Sequence, residues 1–413
     1  MPVHSRGPEQ GLRLLRRGAL VIAQVSRDRT AGSVVPSLIS YTATGAEVTG
    51  GAALGDDEAA LRAAVGEAVE RHCANQVPSG LRRATYRELD EPAVDPRSFA
   101  LYSPAQYRAR GFPFVPMTAD LEIAWSPAED LVSGGRALVP ASLVYVNYFT
   151  GPRRAEPATN YPILAGTAAA ATQEQARQAA LREVLERDAV TLWWHGSAPA
   201  SPLKAPAGGP LAEALGEAAE SGLTVSLLRI PAAFDAIVAA VFVEDRARRI
   251  VGFGSACRAT EEGAAAKAFT EAIGTYETGR ILLRRDIARP PYLRRRADRR
   301  YLDDLRRGWR DVNDVRLHVQ VYLDERLQGD ALDRLRHPSG PPMPPESLGP
   351  LRSLTDQGLR AYAVDLSSPD SELHVARVLV PGLVCDAPAA FPFLGSTRLP
   401  ASSDLVRQPL PFA

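Results

Sequence analysis

Two short stretches of the chain carry the same spacing of acid and base. Glu67-Ala68-Val69-Glu70-Arg71 and Glu183-Val184-Leu185-Glu186-Arg187 each set two carboxylates three residues apart, with an arginine directly after them. On a helix, positions i and i+3 share a face, so each pair aims its oxygens the same way. Carboxylate oxygens are what Mg2+ takes, alongside waters and nucleotide phosphates. An arginine next to them pairs with a phosphate or holds a carboxylate in place. A third stretch, Lys267-Ala268-Phe269-Thr270-Glu271-Ala272-Ile273-Gly274-Thr275, aligns with the first two without gaps and keeps only the first glutamate. A solvated charged face explains one such motif. Two full copies and a partial one, all in the same register to an apolar stripe, point instead to a shared site.

The elements that must position these residues are helices. Leu61, Ala64, Val65, Ala68 and Val69 follow the i, i+3, i+4, i+7, i+8 pattern, as do Leu181, Val184, Leu185 and Leu192, and Ala265, Ala268, Phe269, Ala272, Ile273 and Tyr276. The spacing predicts helices over 57–75, 172–195 and 260–285. Strand-like apolar runs lie at Ala19–Val25, Val34–Tyr41, Ala137–Tyr148, Leu223–Ile230, Ala236–Val243, Val315–Tyr322, Leu359–Val364 and Val375–Val380. Pro199–Pro210 and Pro338–Pro350 read as loops, because proline breaks helices and supplies no ladder donor. Strands resume after both loops, which predicts one α+β domain with mixed or antiparallel sheets and packed helices.

Composition narrows the classes of function. Lys+Arg and Asp+Glu both total 48 in 413 residues, so no bulk charge marks a nucleic-acid or membrane surface. The three cysteines, Cys73, Cys257 and Cys385, are far apart and form neither a zinc spacing nor a disulfide framework. No HExxH, Walker A loop or Gly-x-Ser-x-Gly occurs. Trp193, Trp194 and His195 read as packing at a helix end. Without a signal peptide or a transmembrane run, a cytoplasmic location is expected.

Taken together, these residues resemble the YcaO family. Its early Glu-x-x-Glu-Arg helix is matched by Glu67, Glu70 and Arg71, and its Glu-x-x-Glu-Arg-Asp-Ala helix with a following Trp by Glu183, Glu186, Arg187, Asp188, Ala189 and Trp194. Gly252-Phe253-Gly254, Thr270 and Glu271 match a third helix in part. Val380-Pro381-Gly382 and Phe391–Ser396 also fit, so the likeness runs from about residue 30 to 413. The resemblance implies a YcaO domain over 30–413 with an internal pseudo-repeat, preceded by an arm at 1–29. It implies ATP held by Glu67, Arg71, Glu183, Arg187 and Glu271, and Mg2+ held by Glu67, Glu70, Glu183 and Glu186. In the azoline-forming branch, a Cys, Ser or Thr side chain of a ribosomally made precursor peptide attacks the preceding carbonyl, and ATP phosphorylates the resulting oxyanion. Phosphate then leaves, giving thiazoline or oxazoline. That branch ends in Pro-x-Pro-x-Pro at its active site. Here Pro409 and Pro411 are in register, Ala413 replaces the last proline, and all three positions are expected at the catalytic centre.

The implied partners are the precursor peptide, an E1-like leader-binding protein (the arm at 1–29 being too short to serve), and a flavin-dependent azoline dehydrogenase; family members are often homodimers. Departures from the family pattern fall at Leu164, Ala170, Ala171, Gln175, Gly274 and Ala413, where hydroxyl, amide or carboxylate groups are missing. They leave two alternatives open: a degenerate scaffold subunit of the synthetase, and a thioamide-forming enzyme using the same backbone activation.

Overall fold

The computed structural model describes residues 24–28, 33–45, 47–196, 198–284, 293, 296–344, 349–369, 371–401 and 403–411. Three long helices organise it, and all start the same way. Asp56 accepts a hydrogen bond from the Ala59 amide (2.9 Å), Thr172 from Gln175 (3.2 Å) and Thr260 from Gly263 (3.1 Å), each side chain satisfying an amide that the first turn leaves free. These caps open α1 (Asp57–Ala74), α2 (Gln173–His195) and, after the shorter α3 (Pro210–Glu220), α4 (Glu261–Leu283).

Each long helix lies on an antiparallel sheet. The first sheet is β1 (Gln24–Arg27), β2 (Leu38–Thr44) and β3 (Val48–Leu54), in that order. The second is built from β4 (Arg82–Ala84), β5 (Ile123–Asp130), β6 (Arg136–Pro140), β7 (Thr167–Ala170), β12 (Tyr362–Asp365) and β13 (His374–Leu379), in the order β4-β5-β12-β13-β7 with β6 beside β5. The third runs β11-β10-β9-β8, from β8 (Ser201–Pro202), β9 (Thr224–Arg229), β10 (Val238–Asp245) and β11 (Ile250–Cys257). The architecture is α+β, as the sequence pattern predicts.

The third sheet is buried on both faces, and its side chains sort by parity. Val238, Ala240 and Phe242 join one core with Leu181, Leu185 and Trp193 of α2, while Ala239, Val241 and Val243 join another with Ala268, Phe269 and Ile273 of α4. The α4 side is tight. A Cβ at Gly252 would lie 2.3 Å from the Ala272 carbonyl oxygen, and one at Gly254 2.3 Å from that of Ala268. The two glycines therefore let the helix rest directly on β11.

Several expectations are corrected. Val315–Tyr322 is not a strand: Arg316–Val321 is helical, α5. The run Val315, His318, Val319, Tyr322 has helical i, i+3, i+4, i+7 spacing, and its β-branched residues masked that period. Ala137–Tyr148 is strand only to Pro140, then a single helical turn, Ala141–Val144. The Pro199–Pro210 loop contains the two-residue β8. The 1–29 arm lies outside the described residues apart from 24–28, and those pair with β2, so the expected boundary at 30 cuts through a sheet.

Candidate functional site

The three aligned glutamate positions occupy equivalent places, and the two glutamates of each motif do different work. The first glutamate faces the strand or loop under its own helix. Glu67 accepts weakly from the Gly50 amide of β3 (3.4 Å), and Glu183 accepts from the Gly166 amide (2.9 Å) just before β7. Glu271 of α4 lies against Gly254 of β11. All three keep an open side, with side chains 35%, 31% and 27% exposed. The second glutamate crosses to the next sheet. Glu70 of α1 accepts from the Ala169 amide of β7 (2.7 Å), and Glu186 of α2 accepts from the Ser255 hydroxyl (2.7 Å) and the Cys257 amide (3.0 Å) of β11. Glu70 and Glu186 thus staple one helix–sheet unit to the next.

The row is electrostatically crowded. Burial raises the Glu70 carboxyl to about 8, and the charges of Glu183 and Glu67 add to the rise. Burial likewise raises Glu183, against the pull of Arg187. Glu186 is raised by burial and by its neighbour Glu271. Arg187 lies among Glu183 (3.9 Å), Glu186 (3.7 Å) and Asp386 (3.9 Å), and Arg71 lies 3.4 Å from Glu67. With Lys267 on Glu271 (3.3 Å) and Arg377 near Glu183, six carboxylates share four cations. The second carboxylate oxygen of Glu271, Oε2, is buried with no hydrogen-bond partner among the described residues. An excess of buried carboxylate with an unsatisfied oxygen is costly unless a cation joins it.

That donor set suits Mg2+. Among the described residues no three His, Cys, Asp or Glu side chains already form a metal cage. Mg2+ takes one or two carboxylates and fills its octahedron with waters and phosphate oxygens, so it requires no such cage. Glu67, Glu183 and Glu271, the open-sided members, could hold a magnesium–nucleotide complex. Glu70 and Glu186, expected as ligands, reach across to the next sheet, and Glu186, 5% exposed, spends both oxygens there on the Ser255 hydroxyl and the Cys257 amide.

The loop before α2 is held from several sides. Gly166 has φ +88°, a left-handed conformation that favours glycine, and a Cβ there would meet Val184 at 2.7 Å. The fully buried Arg377 donates to the carbonyls of Leu164 and Leu143 and to the Thr167 hydroxyl. The positions that depart from the family pattern lie mostly at the surface: Leu164, Ala171, Gln175 and Gly274 are exposed, and nothing stands within 4 Å of a Cβ built on Gly274.

The segment 405–411 docks on the far end of α2. The Val406 amide donates to the His195 carbonyl (3.0 Å), and His195 Nδ1 donates to the Val406 carbonyl (2.7 Å). Trp194 Nε1 donates to the Gln408 carbonyl (2.8 Å), and the Tyr322 hydroxyl to that of Pro409 (2.6 Å). Pro409 and Pro411 are buried, and Ala413 lies outside the described residues. Trp193 packs in the core as expected, but Trp194 and His195 hold this segment and do more than pack. Arg334 donates to the carbonyls of Trp193, Trp194 and Gly196 while stacking 4.4 Å over the Trp193 ring, so a cation caps the end of α2.

Sequence reasoning missed most of these supports. Asp188, inside the second motif, takes a two-pronged bond from Arg398 (2.5 and 2.9 Å) and one from the Val384 amide (2.9 Å), fixing the 384–398 segment to α2. Its place directly after Arg187 was the available signal. Arg334, Arg377, Asp386 and Arg398 gave none, being single residues in unremarkable runs.

Helices that share one carboxylate motif, each laid on its own antiparallel sheet and tied to the next through a glutamate, define a nucleotide-dependent class with an internal repeat. A family model described as YcaO cyclodehydratase, ATP- and Mg2+-binding, matches residues 53–384, and the chain belongs to that family. ATP and Mg2+ are accordingly its cofactors. The fold is shared with a heterocyclase solved in complex with substrate and cofactor (TM-score 0.70, 20% identity, 98% of this chain and 57% of that chain). It is shared also with YcaO from Methanopyrus kandleri bound with AMPPCP and Mg2+ (TM-score 0.58, 20% identity, 88% of this chain and 86% of that chain). A third match is a chain of the E. coli microcin synthetase McbBCD complex (TM-score 0.69, 13% identity, 96% of this chain and 99% of that chain). The chain spans 57% of the length of the heterocyclase it matches. No curated protein matches it significantly by sequence. Among the described residues, no helix is long and apolar enough to cross a membrane.

Proposed function

We propose that the protein uses ATP to convert Cys, Ser or Thr residues of a ribosomally made precursor peptide into azolines, with a separate leader-binding protein presenting the peptide. The side-chain S–H or O–H adds to the preceding carbonyl carbon. The carbonyl oxygen, now an oxyanion, takes the γ-phosphoryl group of ATP. Phosphate leaves with that oxygen while the amide nitrogen gives up its proton and closes the C=N bond. The balance is ATP in, ADP and phosphate out, and the elements of one water lost from the peptide. A backbone oxygen is a poor leaving group, and phosphorylation corrects that; the protein supplies position and charge.

The observation that carries this reading is the carboxylate row with its unsatisfied Glu271 oxygen, whose Arg187 lies 3.9 Å from Asp386, a residue that lines the same cleft as the 405–410 segment. In this reading Glu67, Glu183 and Glu271 hold the magnesium–nucleotide complex, and Mg2+ neutralises phosphate charge there. Arg71 and Arg187 face phosphate oxygens. Pro409 and Pro411 shape the wall where the peptide amide is presented, and their anchors Trp194, His195 and Tyr322 position them. The empty space at Gly274 favours a second reading, a scaffold subunit that binds peptide without turnover.

Reconstitution with precursor, leader-binding partner and Mg2+–ATP, read by mass spectrometry, separates these readings. Loss of one water per ring, abolished by Glu183→Ala, is expected. ATP binding without loss of water identifies the scaffold, and exchange of oxygen for sulfur identifies thioamide formation.

A further inference from the structure

Beside the carboxylate row lies a cleft of about 850 Å3 that the phosphorylation chemistry does not account for. Its lining combines the aromatic residues Phe112, Trp194, Trp309 and Phe391 with the 405–410 segment, whose Gln408 carbonyl accepts from Trp194 Nε1. Five arginines line it, Arg110, Arg306, Arg307, Arg310 and Arg407, against a single carboxylate, Asp386, which lies 3.9 Å from Arg187.

That imbalance is local. Elsewhere arginines sit in dense ion pairs: Arg326 bridges Asp303 and Asp324, and Arg336 bridges Glu244 and Asp333. In the cleft Arg306 is neutralised by Asp311 (2.6 Å). Arg110, Arg307 and Arg310 are exposed and have no carboxylate within ion-pair distance among the described residues. Two of them project from a turn held in an uncommon conformation. Gly308 has φ +72° and Trp309 φ +60°, the latter strained for a bulky residue. The turn is pinned by the Arg306 amide on Asp311 (2.7 Å), the Val312 amide on the Trp309 carbonyl (2.8 Å) and the Ala390 amide on Val312 (2.9 Å). Trp309 packs against the core while Arg307 and Arg310 flank it. Behind Phe112, rings of Tyr102, Tyr107, Phe114 and Phe391 stack or meet edge to face at 4.9–6.4 Å, which stiffens the aromatic wall.

We propose that this cleft receives the segment of the precursor peptide around the residue to be cyclised, and that it selects segments carrying Asp or Glu beside an aromatic or other large apolar residue. The inference deepens the peptide-modifying reading and rests on it. Unpaired arginines recognise carboxylates, the aromatic residues accept apolar side chains, and the 405–410 segment lines the same cleft. Charge steering of this kind is weakened by salt.

The test is fluorescence anisotropy on the full chain without ATP. The probes are a fluorescein-labelled peptide with one Cys flanked by Glu and Phe, and the same peptide with Lys for Glu. The wild type is expected to bind the Glu peptide about tenfold more tightly, an advantage that shrinks as salt rises. Arg307→Glu/Arg310→Glu is expected to invert the preference, and Arg307→Lys/Arg310→Lys to keep it. Both double variants alter exposed side chains, and an unchanged unfolding transition shows that they fold. Equal affinity for the two peptides, no binding of either, or displacement of the Glu peptide by ATP competing for the same arginines overturns the proposal. This test needs no turnover, so a charge preference here combined with no loss of water in the ATP-containing reconstitution would refute the cyclodehydration reading and leave the acidic-peptide cleft standing.

Discussion

α1 and α2 differ from α4 at two positions of the shared motif, Gly274 standing for the second glutamate and Thr275 for the arginine, and the difference separates a glutamate that crosses to the next sheet from one that stays over its own. In α1 and α2 the second glutamate reaches the next sheet, at Ala169 and at Ser255 and Cys257. In α4 the equivalent residue is Gly274, and the following Thr275 turns back to the Phe253 carbonyl (3.0 Å) of its own sheet. The series of staples stops there, while Glu271 keeps the first-glutamate place with one buried oxygen unsatisfied. First glutamates thus stay over their own sheet with part of the side chain exposed, and in the proposed reading these are the ligands, while second glutamates tie one unit to the next.

The sharpest way to break this comparison is to remove a staple. Glu186→Ala leaves the Ser255 hydroxyl and the Cys257 amide unpaired and Arg187 with one carboxylate fewer, in a site where Glu186 is 5% exposed. A loss of ~3 kcal/mol in urea unfolding is expected, against ~1 kcal/mol or less for Glu67→Ala, whose single amide contact is long. Equal losses would erase the distinction.

A smaller effect sharpens it through pH. Folding raises the Glu70 carboxyl from 4.5 to about 8, so the folded state favours its protonated form. Glu70 therefore stabilises the metal-free protein relatively most below about 4.5, and that contribution is lost as pH rises through about 8. Glu70→Gln keeps an acceptor for the Ala169 amide without the charge, and is expected to flatten this decline in urea titrations between pH 5 and 8. An unchanged slope would show that Glu70 is not the group responsible.

The smallest expected effect is a gain. Gly274 lies exposed inside α4 with open space around it, so Gly274→Gln should raise stability by ~0.5–1 kcal/mol through helix propensity alone, seen as a higher melting temperature. Destabilisation would mean that the position meets something the chain does not itself contain.

Local pattern made the motif helices legible. Their ends, their buried stripes and the alignment of all three copies follow from residues within one turn or two of each other. The antiparallel sheets were legible where strands alternate or run fully apolar, as at β9, β10 and β13. Val315–Tyr322 reads as a strand from sequence because its β-branched residues outweigh a helical period, whereas Arg316–Val321 is helical. The staples and anchors were not legible at all. Glu70 meets Ala169 across 99 residues, Asp188 meets Arg398 across 210 and Trp194 meets Gln408 across 214. No local signal distinguishes the glutamate that crosses to the next sheet from the one that stays over its own.

In the proposed reading the first glutamates form the nucleotide–metal site while the second glutamates hold it in place. Titration calorimetry of Mg2+ with the non-hydrolysable analogue AMPPCP into wild type, Glu271→Ala and Glu70→Gln tests it most directly. Saturable binding to wild type, at least tenfold weaker binding to a fully folded Glu271→Ala, and near wild-type binding to Glu70→Gln are expected. Wild-type affinity in Glu271→Ala, with binding lost in a folded Glu70→Gln, would contradict it.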